Sequence, residues 1–335
     1  SRDGERVVTL GEERTCLWNL EGEMLVQLDK LKASPTDIDP VHTAIFSADG
    51  LTLLTADDEW MQVWDRDGRS VARWQVAEVG DGDDLVGLSA NGEYVLAVLE
   101  EGVRVWDRQG NAVGLLSKKG ERIFVAVFSP DGQQIATEGG GNVRLWDVDG
   151  HERTQFGTGG QSLVAFAPDG SWLLTEEDSV SRRWDLAGRE LAVLLKGEFL
   201  EECETAFSRD ASRVLIWNYR IARNFDRQGK MLAEFRSRTE SHETFADAVL
   251  SPDGRFVALV RFNIMLVGKV KLYAVDGGES AVMRGDGRPL TSATFSRTGD
   301  RILTTDGHQA SIWDAAGRET GMLLHPAVRC ADFVP

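Results

Sequence analysis

The sequence predicts an all-β chain of eight repeated four-stranded units, and three observations carry that prediction. An aromatic residue, most often Trp followed by Asp, recurs eight times with glycine four residues later. The aromatics are Trp18, Trp64, Trp106, Trp146, Trp184, Phe225, Tyr273 and Trp313, and the glycines Gly22, Gly68, Gly110, Gly150, Gly188, Gly229, Gly277 and Gly317. Upstream, a second register runs through Phe46, Leu88, Phe128, Phe166, Phe207, Leu250 and Phe295. Each leads, four residues on, to Gly50, Gly92, Gly132, Gly170, Ala211, Gly254 and Gly299. Fourteen residues then separate this position from the aromatic in every repeat but one, where nineteen residues from Gly254 to Tyr273 mark a five-residue insertion.

Units of about 40 residues with several short strands cannot bury both faces alone, so each must stack on its neighbours. Within a unit the apolar period is two, which is the period of a strand. In the second repeat Ile45-Phe46 ends one strand, Leu51–Thr55 makes the next, Met61–Trp64 a third and Val71–Trp74 a fourth. The turns between them carry Ala48-Asp49-Gly50 and Arg66-Asp67-Gly68. Glycine there supplies the positive φ that tight hairpins demand.

The elements Phe128-Ser129-Pro130-Asp131-Gly132 and Val143-Arg144-Leu145-Trp146-Asp147 resemble the WD-repeat family of β-propellers, and the likeness runs through the whole chain. The phrasing Ile302–Gly307 and Ile312–Glu319 is similar to the bacterial variety, found at the C-terminal sensor ends of large signalling and defence proteins. The resemblance implies a β-propeller. The eight phased repeats give eight four-stranded blades, although seven is the commoner number in the family, and the ends meet in register, so a ring is expected that closes by pairing the C-terminal strand, Ala327–Phe333, with the blade whose other strands lie between Arg6 and Leu28. Closure of that kind removes open sheet edges. The family's Gly-His element survives only as His242 and His325, and its turn aspartate only at Asp57 or Asp58, Asp178 and Asp306. Blade rigidity is therefore expected to rest on packing.

Residues 1–335 are expected to form a single propeller domain of a longer polypeptide, because the chain starts without Met in the middle of a repeat. No apolar run approaches eighteen residues, so neither a membrane span nor a signal peptide is expected. Cys16, Cys203 and Cys330 are odd in number and widely spaced, which indicates neither a disulfide framework nor a zinc site and points to a reducing cytoplasm. The net charge of −17, from 54 acids against 37 bases, disfavours a nucleic-acid partner.

Catalytic signatures are missing from the sequence: no G-x-S-x-G turn, no H-E-x-x-H helix and no phosphate loop ending in Gly-Lys-Ser/Thr. The run Gly139-Gly140-Gly141-Asn142 falls at a hairpin tip, and His42, His151, His242, His308 and His325 stand at different phases of the repeat. No cofactor and no metal are expected. The recurring bases Arg104, Arg144, Arg182, Arg223 and Lys271, two before the aromatic, suggest either an anion-binding ring or stems packed between blades with their charges outward.

Length variation gathers in one type of connection, from the fourth strand of a unit to the first of the next, and in the hairpin that carries the insertion. Variation gathered on one side of a rigid scaffold is the pattern of a recognition surface. The long connections there run over 30–40, 77–84, 198–204 and 237–244. Partner binding by a protein or peptide, or by other domains of the parent chain, and not by a membrane, is expected at Trp60, Trp217, Tyr219, Phe262, Ile264, Met265 and Leu266, the last four within the insertion at 261–267. The alternative is that the insertion lengthens a buried hairpin. The acidic clusters Asp81, Asp83, Asp84 and Glu198, Glu201, Glu202, Glu204 could attract a basic peptide or a cation, but read first as a solvated rim. Against a recognition or scaffold module stands an eight-bladed quinone-cofactor enzyme with a site in a central channel. The first-strand residues Ala44, Val86, Ala126, Val164, Thr205, Ala248, Ala293 and Ala331 offer such a channel no acid, base or ligand.

Overall fold

The computed structural model describes residues 1, 5–10, 15–19, 21–28, 43–57, 59–76, 86–157, 159–178, 180–195, 203–237, 243–263, 268–284, 288, 290–306 and 308–324. Their strands form eight antiparallel sheets, each a meander in chain order. Seven have four strands; the first has three, Val7–Thr9, Cys16–Trp18 and Met24–Gln27. Its expected fourth strand at Ala327–Phe333, and with it the closing of the ring, lies outside the described residues.

The second sheet sets the pattern, with Thr43–Phe46, Thr52–Ala56, Trp60–Asp65 and Ser70–Gln75 close to the predicted bounds. In the turn after the first strand, the Ser47 hydroxyl donates to Asp49 (2.6 Å) and accepts from the Thr52 N–H (3.0 Å). Ser129 with Asp131 and Gln134 repeats this arrangement in the fourth sheet. In the turn after the third strand, the Asp65 carboxylate accepts from the N–H groups of Asp67 and Arg69. Asp107, Asp226 and Asp314, each following its aromatic, clamp their turns in the same way. Ahead of this turn, the ladder between third and fourth strands slips by one residue just before the aromatic, as at Val63/Trp64 and Leu145/Trp146. Such a bulge re-aims the ring and tightens the local twist.

Two positions show why the metre is strict. Gly92 has φ 69°, and a Cβ there would stand 2.5 Å from the Thr52 hydroxyl of the preceding sheet. Gly110 has φ 83°, and its Cβ would meet the Trp74 ring at 2.8 Å. Each glycine serves both the turn and the close approach of the preceding sheet. The repeat that carries Ala211 holds it at φ 54° all the same, fully buried.

Two compact units divide the chain, one mostly Ser1–Phe166 with Leu186–Arg189, the other mostly Ala167–Asp185 with Glu190–Phe333. In the first, the core lies between successive sheets. Leu54, Met61 and Val63 meet Val86, Val95, Ala97 and Trp106, and Leu96, Val103 and Val105 meet Ile135 and Trp146. In the second, Leu215, Ala222 and Phe235 meet Phe245, Leu259 and Tyr273, and Val260, Val270 and Leu272 meet Ala293, Ile302 and Trp313. Five of the tryptophans add a hydrogen bond the sequence pattern had not disclosed: Trp18, Trp64, Trp146, Trp184 and Trp313 each donate Nε1 to a threonine nine residues earlier, at 2.8–2.9 Å. Packing is therefore supplemented by one indole–hydroxyl bond per repeat where the threonine is present.

Candidate functional site

In a four-stranded meander the first and third turns share one end of the sheet. The middle hairpin and the connections to neighbouring sheets share the other, here called the loop end. At the loop end of the second sheet, Asp57 accepts from the N–H groups of Glu59 (3.1 Å) and Trp60 (2.7 Å) and so shapes the hairpin. Trp60 is half-buried, with the Arg73 guanidinium 4.2 Å over its ring. In the sixth sheet Asn218 plays the part of Asp57, accepting from Arg220 and Ile221. Tyr219 beside it is half-buried under Arg220, at 5.0 Å. Both rings are partly exposed and each carries a guanidinium over its face.

Trp217 does not stand with them. It is 5% exposed and packs with Ala222, Phe235 and Phe245. The expectation of a surface residue is corrected here, and the cause is the seventh sheet. That sheet's first strand, Glu243–Leu250, is eight residues long and reaches over the sixth sheet's hairpin, where the Phe245 N–H donates to the Tyr219 carbonyl at 2.8 Å. Its second strand, Phe256–Asn263, is equally long, so the first residues of the insertion extend a hairpin. Arg261 is 7% exposed, with its guanidinium 5.1 Å from the Phe245 ring and 3.3 Å from the Tyr273 hydroxyl. The Phe262 backbone pairs with Thr244. The Phe262 side chain, with Ile264, Met265 and Leu266, lies outside the described residues. So do the connections at 30–40, 77–84 and 238–242, and five of the six connection residues from 198 to 203.

The recurring bases do not form an anion site. Each meets a glutamate: Arg104 with Glu101, Arg144 with Glu121 at 2.6 Å, Arg182 with Glu177 at 2.9 Å, Arg223 with Glu234 at 2.7 Å, and Lys271 with Glu279 at 2.5 Å. Arg144 is 4% exposed, so its pairing is a condition of folding rather than a surface ornament.

One loop-end residue escaped the sequence reading. Phe124, at 55%, is the most exposed large apolar side chain among the described residues. In the first strand of the fourth sheet, Ile123–Phe128, Ile123 pairs with Gly139 and Val125 with Glu138, which leaves Phe124 as the extra residue of a bulge. The only available signal was its type: four residues before the Phe or Leu anchor, other described repeats have Ser162, Cys203, Ala246 and Thr291.

Two titrating groups lie near these strands. Burial pushes the Asp247 carboxyl up, against hydrogen bonds from the N–H groups of Ala293 and Ala248. Burial, with Glu176 nearby, pushes the Cys203 thiol up to about 12, which leaves it a poor nucleophile. Among the described residues no group of three His, Cys, Asp or Glu is placed to hold a metal.

With this geometry in place, comparison with known proteins gives the fold. The family model described as "WD domain, G-beta repeat" matches residues 117–147. No curated protein matches the chain. Among solved structures, the C-terminal WD40 domain of Sif2 is similar at 13% identity and a TM-score of 0.63, over 97% of this chain and 93% of that one. A eukaryotic initiation factor is similar at 13% and 0.55, over 96% of each chain. The dihydro-heme d1 dehydrogenase NirN is similar at 14% and 0.62, over 97% of this chain and 74% of that one. The fold is the all-β arrangement of WD40 propeller domains.

Proposed function

We propose that this chain is a non-catalytic recognition module of a larger bacterial signalling or defence protein, acting in the cytoplasm, and that it binds a protein or peptide through the loop ends of its sheets. WD40 propellers generally serve as protein-interaction scaffolds, which supports the class. The observation that carries the placement is that the turn ends are clamped at constant length while every length change falls at the loop ends, where Trp60 and Tyr219 keep partly open rings. Rigid aromatics contribute large contact area at small entropic loss. We place the contact at the insertion, with Phe262, Ile264, Met265 and Leu266, and at Trp60 and Tyr219; Trp217 is excluded by its burial.

The competing reading is a propeller enzyme, and the likeness to NirN is what favours it. Against it, the first-strand positions Ala44, Val86, Ala126, Val164, Thr205, Ala248 and Ala293 supply no acid, base or ligand. The deciding experiment replaces Phe262, Ile264 and Met265 by Ser in the full-length protein and measures thermal unfolding together with the amounts of co-purifying proteins. Recognition by the insertion is expected to show as loss of a specific partner, worth about 2 kcal/mol or more for the dominant residue, with the unfolding midpoint kept. Unfolding of the variant would instead make the insertion part of the core.

A further inference from the structure

We infer that Phe124 and the basic turn before it form a docking point for an acidic peptide segment that carries an apolar side chain. The inference rests on reading the chain as a recognition module and names the chemistry of one partner. The turn Lys118–Glu121 closes on itself through the Glu121 N–H to the Lys118 carbonyl (3.0 Å), with Gly120 at φ 81°. It lies on the glycine tip of the next hairpin. A Cβ on Gly139 would stand 2.5 Å from the Arg122 carbonyl, and one on Gly140 2.8 Å from the Glu121 carboxylate. That contact explains glycine at 139 and 140, and Phe124 in the strand that follows the turn is left 55% exposed.

The charges around this ring are sorted. Glu121 is held by buried Arg144, and Lys118 is held by Glu152 at 2.6 Å. Lys119 and Arg122 are exposed and form no ion pair among the described residues. The Arg122 guanidinium stands 5.8 Å from the centre of the Phe124 ring. The result is an exposed aromatic ring with the Arg122 guanidinium over it and a second cation, Lys119, in the turn before it, neither paired among the described residues, on a chain of net charge −17. A bulge alone does not demand this residue. The seventh sheet has the equivalent bulge between Phe245 and Asp247, and there the extra residue is Ala246. Bulges re-aim side chains and recur beside functional sites. An exposed aromatic gains most from an apolar group laid on its face, and the cations select a partner whose neighbouring side chains carry carboxylates.

The test uses the intact chain and three fluorescein-labelled model peptides of equal length, alternating Glu-Leu, Lys-Leu and Glu-Ser, read by fluorescence anisotropy. The Glu-Leu peptide is expected to bind, more weakly as salt is raised, and the other two to bind at least tenfold less well. Phe124→Ser and Arg122→Glu should each weaken Glu-Leu binding tenfold or more, while thermal unfolding stays as in the parent chain. Met231→Ser, which changes an exposed apolar side chain outside the proposed contacts, should leave it unchanged. Wild-type binding by both Phe124→Ser and Arg122→Glu overturns the inference. If Trp60→Ser then loses the peptide, recognition stands and its site is elsewhere. Failure of all three peptides to bind also overturns it, and the recognition reading is then judged by the insertion variants alone. Self-association on sedimentation that Phe124→Ser abolishes would make the occupant a second copy and overturn it as well.

Discussion

At the scale of the residue, Trp146 shows how much one ring carries. It is 3% exposed, packs against Leu96, Val105 and Ile135, and donates to the Thr137 hydroxyl at 2.8 Å. Trp146→Ala should cost about 3–5 kcal/mol in denaturant unfolding, as a large buried aromatic lost from a close-packed core. Trp146→Phe should cost less, about 1–3 kcal/mol, much of it from leaving the buried Thr137 hydroxyl unpaired. The glycines give the complementary case. Gly92→Ala puts an L residue at φ 69° and a methyl group against Thr52, so a loss of about 2–4 kcal/mol is expected. Ala211→Gly removes about 1–2 kcal/mol of left-handed strain at φ 54°. That gain is offset by about 0.4–1 kcal/mol of unfolded-state entropy and about 0.8 kcal/mol of lost methyl burial. The pair of variants separates the turn requirement from the contact requirement. If Gly92→Ala were neutral, neither would hold at that position.

At the scale of the element, the sheet, strands and turns were legible in the sequence because a period of two and a fixed turn chemistry are both local. The second sheet came within two residues of its predicted bounds for that reason. What stayed hidden depends on register. Whether Arg144 meets an anion or Glu121 is decided by how the turn at 118–121 folds onto the next hairpin, and no spacing records that. Trp217 had the look of a tip residue until the long first strand of the next sheet was seen to cover it. Phe124 was invisible because a one-residue bulge moves a side chain to the other face without altering the metre. The Arg144 pairing yields a prediction of its own. Glu121→Gln removes the nearer partner of a buried guanidinium but leaves Glu152 at 3.7 Å. Its cost should therefore fall below the about 3–5 kcal/mol of a fully orphaned buried charge. The double variant with Glu152→Gln should exceed the sum of the two single losses, a cycle that denaturant unfolding can close.

At the scale of the whole molecule, the turn clamps make stability depend on acid. Burial opposes ionisation at Asp107, yet the Asn111 side chain and the N–H groups of Asn111, Gln109 and Gly110 hold its carboxyl below the ordinary value. Burial likewise opposes it at Asp210, where the Ser212 N–H and the Ser208 and Ser212 hydroxyls prevail. Asp314 is held low first by the Arg318 N–H, and Asp300 first by the Thr298 hydroxyl. For each, the unfolded chain takes up its proton first, so their stabilisation is present above the unfolded value of 3.8 and is lost as pH falls through the lower folded values. Cooperative acid unfolding is therefore expected below about pH 4, not in the neutral range. Asp247 has the opposite sign. Burial raises its folded value above 3.8, so its contribution declines as pH rises from the unfolded value through the folded one, and at neutral pH the charged carboxylate is a net cost. Asp247→Asn keeps an oxygen for the Ala293 N–H, now 3.4 Å away, and removes the charge. The variant should unfold at a higher temperature than the parent at neutral pH, and the gap should narrow as pH is lowered toward about 4, where more of the folded aspartate is protonated. A lower midpoint at neutral pH would mean that the charge itself is used in the fold, and that the first strand of the seventh sheet carries more than packing.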